Sequence, residues 1–207
     1  NSILPKLNSH LKLISSESIR NIATIAGNFV NASPIGDLTL IFIALNSKIV
    51  IKGKTDERII LLKDLYSGYK KLEISENEII TELFFEIPDQ ETHFNFEKVS
   101  KRMHLDIASV NTAMSIRTSD NIIHDIHISA GGIGPIPTYL SDTRSFMLGK
   151  ELANSTIGAA VEVMRSEICP ISDVRGSAEY KRLLLRQLFY SHFIELYPDI
   201  FSLARLR

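Results

Sequence analysis

The chain has 207 residues, enough to bury a substantial core as one large domain or two small ones. Hydrophobic residues make up 44% and charged residues 23%, and a net charge of −1 gives no electrostatic case for a nucleic-acid or anionic-membrane partner. The single cysteine, Cys169, excludes an internal disulfide and any cysteine-ligated iron–sulfur cluster within the chain, since a cluster needs about four thiolates.

The lone thiol points to a reducing compartment, and a cytoplasmic location is expected. No apolar run reaches the roughly 18 residues of a membrane span. The first twenty residues lack the basic region and small-residue cleavage site of a secretory signal. No Met leads them, so a fragment of something longer is expected.

Ile3, Leu4, Leu7, Leu11 and Ile14 recur at spacings that predict a helix up to the pair Ser15-Ser16, with Ser18 as the cap of a short turn into Ile19. Ile19 to Leu38 (IRNIATIAGNFVNASPIGDL) then concentrates small residues and lacks helical apolar spacing. Pro34 and Gly36 argue against a regular element running through it. A backbone so free of bulk can approach a ligand closely and turn its N–H groups toward an anion. Asp37, just past the turn, can accept hydrogen bonds from a hydroxyl or an amino group. Taken alone, the stretch reads as a nucleotide cradle or as an ordinary turn.

Leu38 to Ala44 predicts a buried helix, with Asp37 near its positive end, where a carboxylate is favoured with or without a ligand. Lys48 to Lys52 and Arg58 to Leu62 predict a hairpin across Gly53 to Asp56, and Glu78 to Ile87 predicts a further strand. The polar stretch Pro88 to Thr92 is the expected boundary between residues 1–90 and 91–207. Strands follow at Phe94 to Val99, Ser109 to Arg117, Ile122 to Ser129 and Thr138 to Leu140. Helices are expected at Asp142 to Leu148, Ser155 to Cys169 and Ser177 to Tyr197, the last with Tyr180, Leu183, Leu184, Leu188, Phe189 and Phe193 on its apolar face. Sheet before helices makes the whole an α+β chain.

Other candidates are weaker. His124 and His127, three apart on a strand, point to opposite faces and are poor joint metal ligands, and no metal site is expected. His104 reads as a solvated turn residue. Lys98, Lys101 and Arg102 form a basic group of the kind that exposed strand edges carry. Gly131 and Gly132 fit a β-bulge or a close approach to a ligand or partner.

TIAGNFVNASPIGDL, through Thr24, Gly27, Asn28, Ala32, Ser33, Pro34, Ile35 and Asp37, resembles the flavin-binding segment of the xanthine dehydrogenase family. Ala26 stands where that family usually has a glycine. FEKVSKRMHLDIASVN, SAGGIGPIP and SDVRGSAEYK resemble later segments of the same family, in the same order.

The resemblance implies the second lobe of an FAD-binding domain (mixed α/β) up to residue 90, then a C-terminal flavoprotein domain of small antiparallel sheet and helical bundle. It implies FAD as cofactor, held by Ile14, Ala23, Thr24, Ile25, Ala26, Gly27 and Asn28, with Asp37, Ile80 and Lys98 as further contacts. No catalytic residue is assigned. Tyr69 falls where the family has a tyrosine near the nicotinamide site. The implied partners are an iron–sulfur domain carrying 2Fe-2S clusters and a molybdenum-binding subunit carrying molybdopterin, with NAD or oxygen as electron acceptor. The segment Met103-His104-Leu105 is less acidic than the family's, which leaves NAD and oxygen both open. A flavin-free assembly domain, or the FAD subunit of an aldehyde- or carbon monoxide-oxidising relative, are the competing readings.

Overall fold

A computed structural model describes residues 6–102 and 105–204. Ile3, Leu4, Met103 and His104 lie outside the described residues.

The first helix, α1 (Leu7–Lys12), ends at Leu13. It is followed by α2 (Glu17–Ile22) and α3 (Ile25–Val30), each only six residues long. Helices this short are marginal alone and depend on caps and tertiary support. Ser16, rather than the expected Ser18, caps α2 by accepting from the Ile19 N–H at 3.3 Å, and Thr24 caps α3 by accepting from the Gly27 N–H at 2.9 Å. The small-residue stretch therefore opens as a helix, which its apolar spacing did not show, before turning at Asn31 to Gly36. Ala32 takes φ +48 in that turn, so the one left-handed position of the motif is met by alanine, whereas Ala26 is an ordinary helical residue.

Helix α4 (Asp37–Ala44) buries Leu40, Ile41, Ile43 and Ala44 and is apolar nearly all round. β1 (Lys48–Lys52), β2 (Glu57–Leu61) and β5 (Ile79–Phe84) form an antiparallel sheet in the order β2-β1-β5. A 3₁₀ turn (Leu62–Leu65) leads into the small ribbon β3 (Tyr66–Gly68) and β4 (Lys71–Leu72).

The second sheet is β6 (Thr92–Val99), β7 (Val110–Ser119), β8 (Ile122–Gly131) and β9 (Thr138–Tyr139), antiparallel and in sequence order. Asp120 and Asn121, both with positive φ, make the tight β7–β8 turn. One face packs on α5 (Ser141–Met147), α6 (Asn154–Glu167) and α7 (Ala178–Leu196), in a continuous core that includes Met114, Ile126, Ile128, Met164, Phe189 and Phe193. The other face meets α4 through Phe96 and Ala113, and the Ser129 hydroxyl donates to the Leu40 carbonyl at 2.7 Å.

Leu188, Phe189 and Phe193 are buried on α7 as expected and Leu184 packs against the same core, but the first turns of the helix differ. Tyr180 and Leu183 are exposed, while Leu185 and Lys181 are buried. The Lys181 ammonium is held there by the Asp173 carboxylate at 2.7 Å and the Ile171 carbonyl at 2.9 Å.

Candidate cofactor site

A cavity of about 580 Å³ opens between α1, α2, α3 and α4. That is within the range of small-molecule sites. Its wall is apolar: Leu7 and Leu11 from α1, Ile14, Ile19, Ile25, and Leu38, Ile41 and Phe42 from α4. Its polar groups are few: Ser15, Arg20, Thr24, Asn28 and Asn31. Ile19, Ile25 and, beside them on α2, Ile22 stay exposed, Ile22 by 79%. Large side chains left this open around a concave site want a covering partner.

Each polar group has a traceable setting. The Thr24 hydroxyl sits under the Gly27 N–H, and a Cβ at Gly27 would come within 2.8 Å of it, so the glycine keeps this cap closed. The Asn28 amide oxygen accepts from Thr39 Oγ1 at 3.0 Å, while its amide nitrogen donates to no described residue. Arg20 donates to the Ile14 and Ser15 carbonyls at 2.8 and 2.7 Å and so braces the α1–α2 turn. Arg20 was not anticipated, although it is the one basic residue between Leu13 and Lys48.

Ile14, Ala23, Thr24, Ile25, Gly27 and Asn28 are thus brought together as expected positions on one cavity. Ala26 is half-buried on α3 and is not in the wall. Ile80 pairs with Ile51 across β5 and β1 and packs on the core around Phe29 and Ile49. Tyr69 is exposed in the β3–β4 turn, next to Lys70, whose ammonium donates to the Asn31 carbonyl.

Asp37 and Lys98 find each other. The Lys98 ammonium donates to Asp37 Oδ2 at 2.7 Å and to the Leu13 carbonyl at 2.9 Å, and its side chain is only 5% exposed. The exposed-edge reading of Lys98 is therefore wrong: β6 is an edge strand, but the segment Leu13–Ile14 and α4 cover this lysine. Asn111, in the VN motif of β7, donates to Asp37 Oδ1 at 2.6 Å and to the Ile35 carbonyl at 3.1 Å. Burial pushes the Asp37 carboxyl above its usual range, against the opposing pull of Lys98 and Asn111. The trio ties the start of α4 to the second sheet beneath the motif. Gly131 and Gly132 complete the tie: the Gly132 N–H donates to the Pro34 carbonyl at 3.1 Å, and a Cβ at Gly131 would lie 2.3 Å from the Asn111 side-chain oxygen. Their close approach is to this chain's own turn.

Among the described residues no cluster of His, Cys, Asp and Glu is arranged to hold a metal, and no helix is long and apolar enough to cross a membrane. An apolar-walled cavity rimmed by a capped small-residue helix and the Asn28 amide has the make-up of a small-molecule site on an α+β module. Residues 1–89 match the FAD binding domain in molybdopterin dehydrogenase, and residues 95–196 match the CO dehydrogenase flavoprotein C-terminal domain. The chain belongs to this family of FAD-binding domains of molybdopterin dehydrogenases, its two halves matched in chain order.

It is 31% identical to a xanthine dehydrogenase of Blastobotrys adeninivorans over 192 residues, 88% of this chain but 14% of that protein. It is 27% identical to the glyceraldehyde dehydrogenase medium chain of Sulfolobus acidocaldarius, covering 94% of this chain and 69% of that one. The structure of carbon monoxide dehydrogenase from Hydrogenophaga pseudoflava superimposes with TM-score 0.85 at 25% identity, covering 90% of this chain and 64% of that chain. The chain therefore spans a small part of the xanthine dehydrogenases and roughly two thirds of the medium chains it matches.

The site fits the flavin that the family implies. It offers an apolar wall for a flat ring system, with the Asn28 amide nitrogen and the rim hydroxyls as donors, and exposed Ile19 and Ile25 to be covered.

Proposed function

We propose that this chain is the FAD-holding part of a xanthine dehydrogenase-like molybdo-flavoenzyme, passing electrons from iron–sulfur clusters to NAD or oxygen. The observation that carries the reading is one cavity lined by six of the positions that the resemblance implies. When bound, the isoalloxazine supplies the electron-transfer chemistry. The chain's part is to bind and orient it. Thr24 to Asn28 form the polar lip, Ile14 and Ile25 cover the ring, and the buried Asp37–Lys98 pair, outside the cavity wall, braces the start of α4 beneath the lip. Ile80 acts through the sheet that supports α3.

In this reading the 2Fe-2S clusters and molybdopterin reside in an iron–sulfur domain and a molybdenum-binding subunit, the compartment is the cytoplasm, and purine oxidation is the leading reaction. In the same reading the chain serves as a component that needs the cluster- and molybdenum-bearing parts for the full reaction. Residues 1–90 act as the second FAD lobe and 91–207 as the flavoprotein C-terminal domain. The medium-chain relatives keep the subunit of an aldehyde- or carbon monoxide-oxidising enzyme as a second reading, favoured by the fuller coverage of those chains.

Titration of FAD with the purified chain, followed by quenching of flavin fluorescence, tests the proposal. Saturable quenching is expected, weakened about fivefold by Asn28→Ala through loss of one hydrogen bond. Absence of saturable quenching both in this chain and with the first FAD lobe restored would instead favour the flavin-free assembly domain.

A further inference from the structure

We propose that a second cleft, at the opposite end of the β6–β8 face from α4, binds a small carboxylate with an apolar body. The cleft holds about 410 Å³ and shares no lining residue with the flavin cavity.

Strand register builds it. Thr92, Arg117 and Asp125 stand side by side on β6, β7 and β8, and Ser115 and His127 form the next rung. One rung further along the same face, Ala113 packs beneath α4. The cleft is thus the end of this face that α4 leaves open, bordered by Lys48 and the residues that follow β5.

An inventory of donors and acceptors sets the ligand's chemistry. The acceptors are largely taken. Asp125 receives Arg144 Nη2 at 2.9 Å, the Ile126 N–H at 2.9 Å and the His127 Nε2–H at 3.2 Å. His127 Nδ1 then faces the Tyr139 hydroxyl at 2.7 Å, so both ring nitrogens are engaged. Asp89 accepts from Thr92 Oγ1 at 2.7 Å and from the Glu91 N–H at 3.1 Å. Glu86, the remaining carboxylate of the lining, is exposed to solvent.

The donors are free. Arg117 is half-buried, yet its guanidinium makes no hydrogen bond or ion pair with any described residue and only feels the charge of Asp89. Lys48 is equally unpaired. The Ser115 hydroxyl belongs to a residue 8% exposed and meets no partner among the described residues. A half-buried guanidinium one rung from an unpaired hydroxyl suits a carboxylate, which accepts two parallel N–H bonds from arginine. Leu45, Phe84, Phe85 and Ile87 supply apolar surface in the same cleft, with Phe84 and Ile87 left exposed, so an apolar body is accommodated beside the charged head.

Benzoate is the probe. Titrated into the isotope-labelled chain, it is expected to shift the amide resonances of Ser115, Arg117 and His127 saturably. Neutral benzyl alcohol should not do so. Arg117→Gln should weaken benzoate at least tenfold while leaving the dispersion of the strand resonances intact, and Ser115→Ala should weaken it less. Equal binding of benzyl alcohol, equal affinity in Arg117→Gln, or shifts confined to the flavin cavity would overturn the proposal. Saturable binding of inorganic phosphate with none of benzoate would overturn the apolar-body assignment.

Discussion

The cavity helices and the bundle helices bury their apolar residues on different terms. Helices α1, α2 and α3, six residues each, present Ile19, Ile22, Ile25 and Val30 to solvent around a concave site. Helices α6 and α7, of 14 and 19 residues, close over the second sheet on one continuous core. Between them, α4 and the Asp37–Lys98–Asn111 trio couple the site to the core. The contrast separates two jobs: the bundle holds the fold, and the short capped helices leave an apolar surface open around the cavity.

Substitutions should divide along that line. Phe193→Ala, at a fully buried ring of the bundle, is expected to cost about 3–5 kcal/mol in chemical denaturation. Asp37→Ala leaves the Lys98 ammonium buried without its partner, for an expected loss of about 3 kcal/mol. The double variant Asp37→Leu with Lys98→Met should recover much of it; a double variant no better than the single would show that the cost is not one of unpaired charge.

Acid should act on the bundle side. His192 is fully buried between Asn95 and Thr112, and burial lowers its pKa to about 3. Below the ordinary histidine pKa near 6.5 the unfolded chain takes a proton that the folded chain refuses. Stability should therefore be unaffected by this group above pH ~6.5 and fall by about 1.4 kcal/mol per pH unit from there toward pH ~3. His10, also lowered chiefly by burial, adds in the same direction. Denaturation at a series of pH values checks the slope, which His192→Gln should flatten.

Changes at the site should be smaller. Thr24→Ala removes the α3 cap at an expected cost of about 1 kcal/mol. Ile22→Ser, at a residue 79% exposed, should stay within about 0.5 kcal/mol.

The sequence was most legible where local pattern and tertiary demand agree. Lys48 to Lys52 is a short β-branched apolar run that ends in a polar turn, and it pairs as the expected hairpin with Glu57–Leu61. Ile157, Ala160, Val161 and Met164 are buried on α6 as their spacing predicts. The burial of Lys181 in the first turn of α7 was not legible, because it rests on an ion pair with Asp173, which hydrophobicity cannot reveal. Helix α3 was hidden by its length, since six residues carry too little periodicity and the Thr24 cap is the only local sign. Ile14, Ala23, Thr24, Ile25, Gly27 and Asn28 line one cavity, but the sequence could not show that Asp37 and Lys98, 61 positions apart, are each other's partners.

The central claim is that the Thr24–Asn28 segment forms the flavin lip, and amide resonance mapping during an FAD titration of the intact chain tests it most directly. Saturable shifts are expected at Ser15 and at Thr24 to Asn28, with the β7 and β8 amides of the carboxylate cleft unmoved. Shifts absent from Thr24 to Asn28, or concentrated elsewhere, would contradict the account.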